Sequence, residues 1–506
     1  MNEAPKAATR GVVRDAVSSI VQLVVSSITL FILYRAILNA LGPKVFGIWS
    51  LVVAASSVVG LSNMGLAGSM IKYAADSQSA HNERHLVGQI ETTVISVGAL
   101  SLLLALCGTP LMRLYFSATL AGAAYESALN ILPMALTAFC ISVITGIYQS
   151  ALYGCRRIVE RNAILVFESI SFLALSVSMA PRYGLPGLVL ARVIQNIVTL
   201  LLSIVVLKRH LPLLPWLPRR WNSTIFKGLM GYAASYQFVG FLDMLMDPVT
   251  KGMLSRFGSL EMVTYFELGS RVIGQVRAVI VNVNQVLLPT FAAASRDGAE
   301  YVERLFRRSY DVIFYLAVCM FGVLAATLPL LSLVWLGGEH PMFTRMTTIL
   351  CIGWLVNTVT VPAYFASLGT GDMKSVVQSH SLMAFCNLVA GYCLGRLWGG
   401  YGVVAAWAVA LAAGGLLMQV AFYTRSNLRL KGLVPPRGAR LLAFCCLALL
   451  VGYLATDWVR ILPAHGFVSA SAVLIIFLIA FMLPAIAHPV RGDLVRRIIT
   501  KRATLA

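Results

Sequence analysis

YRAILNALGPKVFGIWSLVVAASSVVGLSNMGLAGSMIKY, residues 34–73, decides the fold. It reads as the end of one membrane helix, a tight turn at Gly42-Pro43, and a long second helix that closes on the cation of Lys72. About 216 residues later the pattern returns as KGMLSRFGSLEMVTYFELGSRVIGQVRAVIVNVNQVLLP, residues 251–289. Laying Gly42 on Gly258 also places Leu41 on Phe257, Trp49 on Tyr265 and Arg35 on Lys251. A second pair matches at a similar offset. YQSALYGCRRIVERNAILVFESISFLAL, followed by Tyr183-Gly184, aligns with YFASLGTGDMKSVVQSHSLMAFCNLVAG, followed by Tyr401-Gly402. One membrane unit is used twice.

The composition requires lipid as the solvent. Of 506 residues, 58% are hydrophobic and only 12% charged, more apolar surface than a soluble chain can cover. Apolar stretches of about 20 residues suffice to cross a hydrocarbon core of roughly 30 Å, and about fourteen can be placed. The expected fold is an all-α polytopic membrane protein: two six-helix pseudo-symmetric lobes, at 1–212 and 213–430, with an extra helix pair at 431–506. Six crossings per lobe make the repeats parallel, related by an axis along the membrane normal, with the site expected between them.

The formal charge of +20 does not point to nucleic acid, because no long basic tract carries interleaved aromatics. The cations sit instead in alternate loops, about 28 on one side against about 7 on the other, which sets both termini in the cytoplasm. The amino-terminal stretch lacks a cleavage site after a short apolar core and reads as a cytoplasmic tail. The nine cysteines show no metal-ligand spacing and read as small buried hydrophobes. No loop exceeds about 20 residues, too short to fold as a catalytic domain.

An ionisable group near the bilayer centre costs roughly 2.5–3.5 kcal/mol, so each such group is a functional candidate. Asp15, Glu91 and Asp311 lie near helix ends, where interfacial water explains them. Arg35 and Lys251 lie near the outer ends of spans one and seven. Such side chains can snorkel, but their matched positions suggest a paired role at the outer mouth. Span eight places Glu267, Arg271, Gln275, Asn282 and Gln285 on one face, with Arg277 and Asn284 on the adjacent line. Either Glu267 and Arg271 neutralise each other at i, i+4, or this face lines a hydrated cavity. Span seven carries Asp243, Asp247 and Lys251 at the same helical spacing. Asp243 either neutralises a cation or binds a coupling proton or sodium ion. Arg192 and Glu168 are candidate partners in the other half. A cavity with surplus cations suits an anionic substrate, because guanidinium groups grip phosphate oxygens bidentately.

These motifs resemble the bacterial polysaccharide and oligosaccharide flippases of the multidrug/oligosaccharidyl-lipid/polysaccharide exporter superfamily. LGPKVFGIWSL is similar to their first turn, and LSNMGLAGSMIKY to the following helix end, with Asn63 where an Asp is common. FLDMLMDPVTKGMLSRFGSLEMVTYFELGSRV resembles their seventh and eighth helices, and YGCRRIVERNA and LGTGDMKSVVQSH their short cytoplasmic turns. The resemblance extends to about Arg425. It implies alternating access around a central cavity in the bacterial inner membrane, and a polyprenyl-pyrophosphate-linked oligosaccharide carried from the cytoplasmic to the periplasmic leaflet. It also implies that Arg271, Arg277 and Arg35 hold the lipid phosphate. Arg192, Lys251, Gln275 and Asn282 complete the expected cationic set.

Other readings are a multidrug or organic-cation antiporter of the same superfamily, and a membrane glycan polymerase or glycosyltransferase. The extra helix pair and the cationic span eight count against the first. The largest outer loop, with Glu126 as its one acidic residue, counts against the second. A non-transporting scaffold would tolerate loss of Arg271 and Arg277. No cofactor beyond a coupling proton or sodium ion is expected. The expected partners are the lipid-linked oligosaccharide, the bilayer, and glycosyltransferases and a polymerase of the same pathway.

Overall fold

The structure is a computed structural model. It describes residues 4–63, 65–79, 82–285, 291, 299–426, 434, 435, 437–459 and 466–492, with side chains over 14–63, 65–76, 82–228, 238–281, 291, 300–426, 434, 435, 437–454 and 467–492. Asn282, Asn284 and Gln285 fall in the last turn of a helix, and their side chains lie outside the described residues.

The described elements are helical. In order they are α1 (Ala4–Ser56), a 3-10 turn (Ser57–Asn63), α2 (Leu66–Ser79), α3 (Glu83–Thr119), α4 (Ala123–Gly154), α5 (Ile158–His210), α6 (Ser223–Phe257) and α7 (Leu260–Gln285). Then come α8 (Ala299–Leu331), a π turn (Ser332–Leu336), α9 (Pro341–Val359), α10 (Val361–Gly369), α11 (Met373–Arg425), α12 (Gly438–Val459) and α13 (Gly466–Ala487). Eight described stretches are long and apolar enough to cross a membrane. Two of them, α5 and α11, run 53 residues, about 80 Å at 1.5 Å per residue, more than twice what one crossing needs. Each doubles back, as does α1. Counting the arms separately, the described helices accommodate about fourteen crossings.

Glycine makes the reversals. Gly42 (φ 76°, ψ 166°), Gly184 (φ 63°, ψ −143°) and Gly399 (φ 62°, ψ −148°) occupy backbone regions open essentially to glycine alone. Across the Gly42-Pro43 turn, Tyr34 meets Phe46 edge-on at 5.5 Å and Trp49 at 6.2 Å, clamping the two arms of α1. The matching turn at Gly258 leads into α7, and Thr264 Oγ1 donates to the Pro43 carbonyl at 2.5 Å. A Cβ on Gly47 would stand 2.2 Å from the Leu260 carbonyl oxygen, so the two equivalent turns meet backbone to backbone.

The near-identical torsions correct the alignment of the later repeat. Gly184 corresponds to Gly399, not Gly402, an offset of 215 residues. Gly402 corresponds instead to Gly187. A Cβ on Gly187 would lie 2.5 Å from the Met179 carbonyl oxygen, and one on Gly402 2.0 Å from that of Leu394, in each case eight residues upstream. The turns before α5 and α11 repeat bond for bond at the same offset. Cys155, Arg156 and Arg157 donate to Ala151, Tyr153 and Leu152; Thr370, Gly371 and Asp372 donate to Ala366, Leu368 and Ser367. The left-handed position is Gly371 (φ 78°) in one copy and Arg156 (φ 58°) in the other.

By packing, the chain divides into Met1–Thr264 and Tyr265–Ala506. In the first unit α5 packs on α1 and α4, and α6 on α3 and α2. Leu66, Met70, Leu86, Ile147, Leu152 and Leu207 belong to its buried apolar core. In the second unit α11 packs on α9 and α10, and the helix pair α12–α13 packs on α8. The pair is pinned there by Tyr453 Oη to the Ala325 carbonyl at 3.0 Å and by Tyr315 Oη to that of Ala485 at 2.9 Å. The last two helices therefore brace α8.

Each long hairpin is also tied at its base. In α5, His210 Nε2 lies 2.6 Å from Glu160 Oε2. In α11, Arg425 Nη1 lies 2.7 Å from Oδ2 of Asp372, the residue capping the helix start. Burial pushes the Asp372 carboxyl up, but hydrogen bonds from Ser375 and Arg425 outweigh it and hold it below its ordinary 3.8. A depressed carboxyl stabilises the fold fully above its unfolded value and loses that contribution as pH falls through the folded one. The advantage of the native chain over Asp372→Asn, read as the difference in thermal midpoint, should be full at neutral pH and decline as the pH drops below 3.8. A difference independent of pH would refute this.

Candidate functional site

The first half of α7 is buried on all sides from Met262 to Gly269, and the cations follow where it opens. Glu267 is buried, its side chain only 6% exposed, and it accepts from Arg271 Nε at 2.6 Å. Arg271 keeps 46% of its side chain exposed. A buried carboxylate thus fixes an accessible guanidinium, a charge-assisted bond of the stronger class. Gln275 lies one turn further on and is half-buried. Arg277 stacks over the ring of Trp354, 4.6 Å from its centroid. Between two half-buried residues such a cation–π contact is worth about 1 kcal/mol, and it sets the plane of the guanidinium.

In the first unit, Arg192 is held from three directions. Glu168 Oε1 lies 3.6 Å away, the Phe172 ring centroid 4.8 Å away, and Arg192 Nη1 donates to Gln195 Oε1 at 2.8 Å. Gln195 passes the chain to Thr199 at 2.9 Å. The doubled-back α5 creates this network, because Glu168 and Arg192 sit on opposite arms. Lys251 and Asp247 pair at 2.7 Å, with Lys251 3% exposed and Asp247 42%. Beside them Tyr115 Oη donates to the Pro248 carbonyl at 2.6 Å. Arg35 and Asp243 are both exposed, on the first arm of α1 and on α6. The matched positions Arg35 and Lys251 therefore differ in environment, one open and one buried.

The i, i+4 spacing offered the Glu267–Arg271 pair as one of two readings, and it set Asp247 one turn from Lys251 without pairing them. Trp354 and Phe172, the rings beneath Arg277 and Arg192, carried no signal, since stacking partners come from other helices or other arms. Glu91 is also more than an interfacial carboxylate. It is buried and accepts from the backbone amides of Arg219 and Arg220 at 2.8 and 3.4 Å, holding the link between α5 and α6 against α3.

Comparison with known proteins bears on the family and the fold. Residues 40–341 match the family model described as polysaccharide biosynthesis protein. A protein of Shigella flexneri named as a candidate O-antigen transporter is 21% identical over 406 residues, 76% of this chain and 91% of its own length. Among solved structures, an inward-facing multidrug transporter of the MATE family in the MOP superfamily superposes with a TM-score of 0.71 at 13% identity, covering 81% of this chain and 98% of its own. The lipid II flippase MurJ, in an inward closed conformation, gives 0.69 at 10% identity, covering 96% and 100%. At such identities the two structures speak for the fold alone.

Proposed function

Because the chain belongs to the polysaccharide biosynthesis protein family, a multi-pass membrane transporter family, we propose that it flips a polyprenyl-pyrophosphate-linked oligosaccharide from the cytoplasmic to the periplasmic leaflet of the bacterial inner membrane. It works by alternating access. The observation that carries this reading is the Arg271 guanidinium, accessible yet pinned by a buried carboxylate. A pyrophosphate needs bidentate donors held in place, and Arg supplies a planar fork where Lys supplies only a point charge. Arg277, on the same helix as Arg271 and oriented by Trp354 of α9, provides a second. Arg35, Arg192 and Gln275 are assigned supporting roles toward the substrate, and buried Lys251 serves through its pair with Asp247. Any coupling proton or sodium ion is assigned to Asp243, an exposed carboxylate. Both termini are cytoplasmic, glycosyltransferases supply the substrate, and a polymerase consumes it.

The test is mass spectrometry of lipid extracts from cells depleted of the protein and then rescued. Wild type should clear the accumulated polyprenyl-pyrophosphate glycan. Arg271→Ala and Arg277→Ala, folded by size-exclusion profile, should clear it at least about ten-fold more slowly, the loss of one charge-assisted bond. Arg271→Lys keeps the tie to Glu267 but not the fork and should fall between. An unchanged lipid pool, with new sensitivity to cationic drugs, would overturn the flippase reading in favour of an antiporter.

A further inference from the structure

The link between α5 and α6 belongs to no helix, yet it is fixed. Its sequence, LPLLPWLPRRWN over 211–222, places a proline at every third position: 212, 215 and 218. Proline removes backbone donors and favours an extended, three-residue-per-turn chain. Leu211 and Leu214, three apart, turn into the core. Several of the remaining amides bond to α3. Leu213 N donates to Glu83 Oε1 at 2.9 Å, Arg219 N to Glu91 Oε1 at 2.8 Å, and Asn222 N to Thr92 Oγ1 at 3.3 Å. Trp221 Nε1 donates to Ser96 Oγ at 2.9 Å. The link is a strap laid along about three to four turns of α3.

What the strap displays is unusual for a loop. Leu213, Trp216, Leu217 and Trp221 are 53%, 57%, 69% and 51% exposed. Arg209, Arg219, Arg220 and Lys227 are exposed around them, and Lys208 stands 5.2 Å from the Trp216 ring centroid. No Asp or Glu occurs between residues 208 and 227. Two tryptophans and two leucines ringed by cations form an amphipathic surface with one charge sign. The strap joins the end of one apolar helix to the start of the next, so it lies where the chain leaves the membrane.

We propose that residues 208–227 are an interfacial anchor that binds the anionic phospholipid headgroups of the adjoining leaflet. The Trp and Leu side chains enter the headgroup region, and Arg219 and Arg220 engage the phosphates. Each cation near an anionic surface contributes about 1 kcal/mol, or about five-fold in affinity. Removing both arginines should therefore cost about 25-fold. Arg219 and Arg220 are tied to α3 through their backbone amides, so their side chains can be exchanged without releasing the strap.

The experiment is native mass spectrometry of the full purified chain titrated with dioleoylphosphatidylglycerol or dioleoylphosphatidylcholine. Wild type should retain phosphatidylglycerol preferentially, and the preference should weaken with salt. The double variant Arg219→Gln/Arg220→Gln, with an unchanged thermal midpoint, should lose it. Trp216→Ala/Leu217→Ala should weaken retention of both lipids. Equal binding of the two lipids by wild type, or undiminished preference in the arginine variant, would overturn the proposal. So would an acidic protein partner that occupies the strap and is displaced by neither lipid.

Discussion

Gly402→Ala is expected to destabilise the protein by about 3 kcal/mol, the upper range for forcing volume into a packed interior. The added Cβ would stand 2.0 Å from the Leu394 carbonyl oxygen and 2.5 Å from its carbon. Both are backbone atoms of the opposing arm, so no rotamer change relieves the clash. α11 would have to open at its kink, and the arm separation would spread to Ser379, whose hydroxyl donates to the Gly414 carbonyl at 2.7 Å. Gly187→Ala in α5 should behave alike, because its Cβ meets Met179 in the same way. Gly60→Ala is the control. Its Cβ meets only the terminal methyl of Met244, which can swing away, and the change should stay below about 1 kcal/mol. Denaturation in detergent, read by tryptophan fluorescence, ranks the three. A Gly402→Ala protein as stable as Gly60→Ala would mean that the hairpin does not close as described.

Asp247→Asn should cost more than Lys251→Met, although both remove one charge. Lys251 is buried and Asp247 is 42% exposed. Removing the carboxylate takes from a buried ammonium the negative charge 2.7 Å away. Breaking buried pairs this way costs roughly 3–5 kcal/mol, discounted to about 2 kcal/mol by the water that reaches Asp247. Removing the ammonium instead leaves a carboxylate already in touch with solvent, while Met fills the volume, so a loss under about 1 kcal/mol is expected. The same denaturation assay decides. The reverse order would show that Lys251 holds the fold through something other than its charge pair.

Much of the architecture was legible in the sequence because bilayer crossing is a one-dimensional constraint of length and hydropathy. The Gly42-Pro43 reversal was legible for a local reason, since glycine and proline together announce a turn. Helical periodicity offered the Glu267–Arg271 pair of α7 as one alternative and set Asp247 one turn from Lys251 on α6. The register of the later repeat did not. Tyr183-Gly184 and Tyr401-Gly402 are matching dipeptides, but the conformation that defines equivalence, a positive φ with ψ near −145°, belongs to Gly184 and Gly399. Torsion is a property of the fold, and Trp398 in place of a tyrosine hid it. The ring beneath Arg277 and the carboxylate holding the α5–α6 link were likewise illegible. Trp354 lies on a different helix, and Glu91 is far from the amides of 219 and 220 in sequence.

The three reversals also bear on how the chain is made. In α1, α5 and α11 each arm finds its partner within the same continuous helical segment, through contacts beside the turn such as Tyr34–Phe46 and Met179–Gly187. Contacts this close in sequence carry little loop-closure entropy and form early. Six of the crossings can thus enter the bilayer as three pairs, while single helices such as α3, α4, α6 and α8 arrive between them. A nascent chain built this way exposes few unpartnered polar groups to lipid at any stage of synthesis.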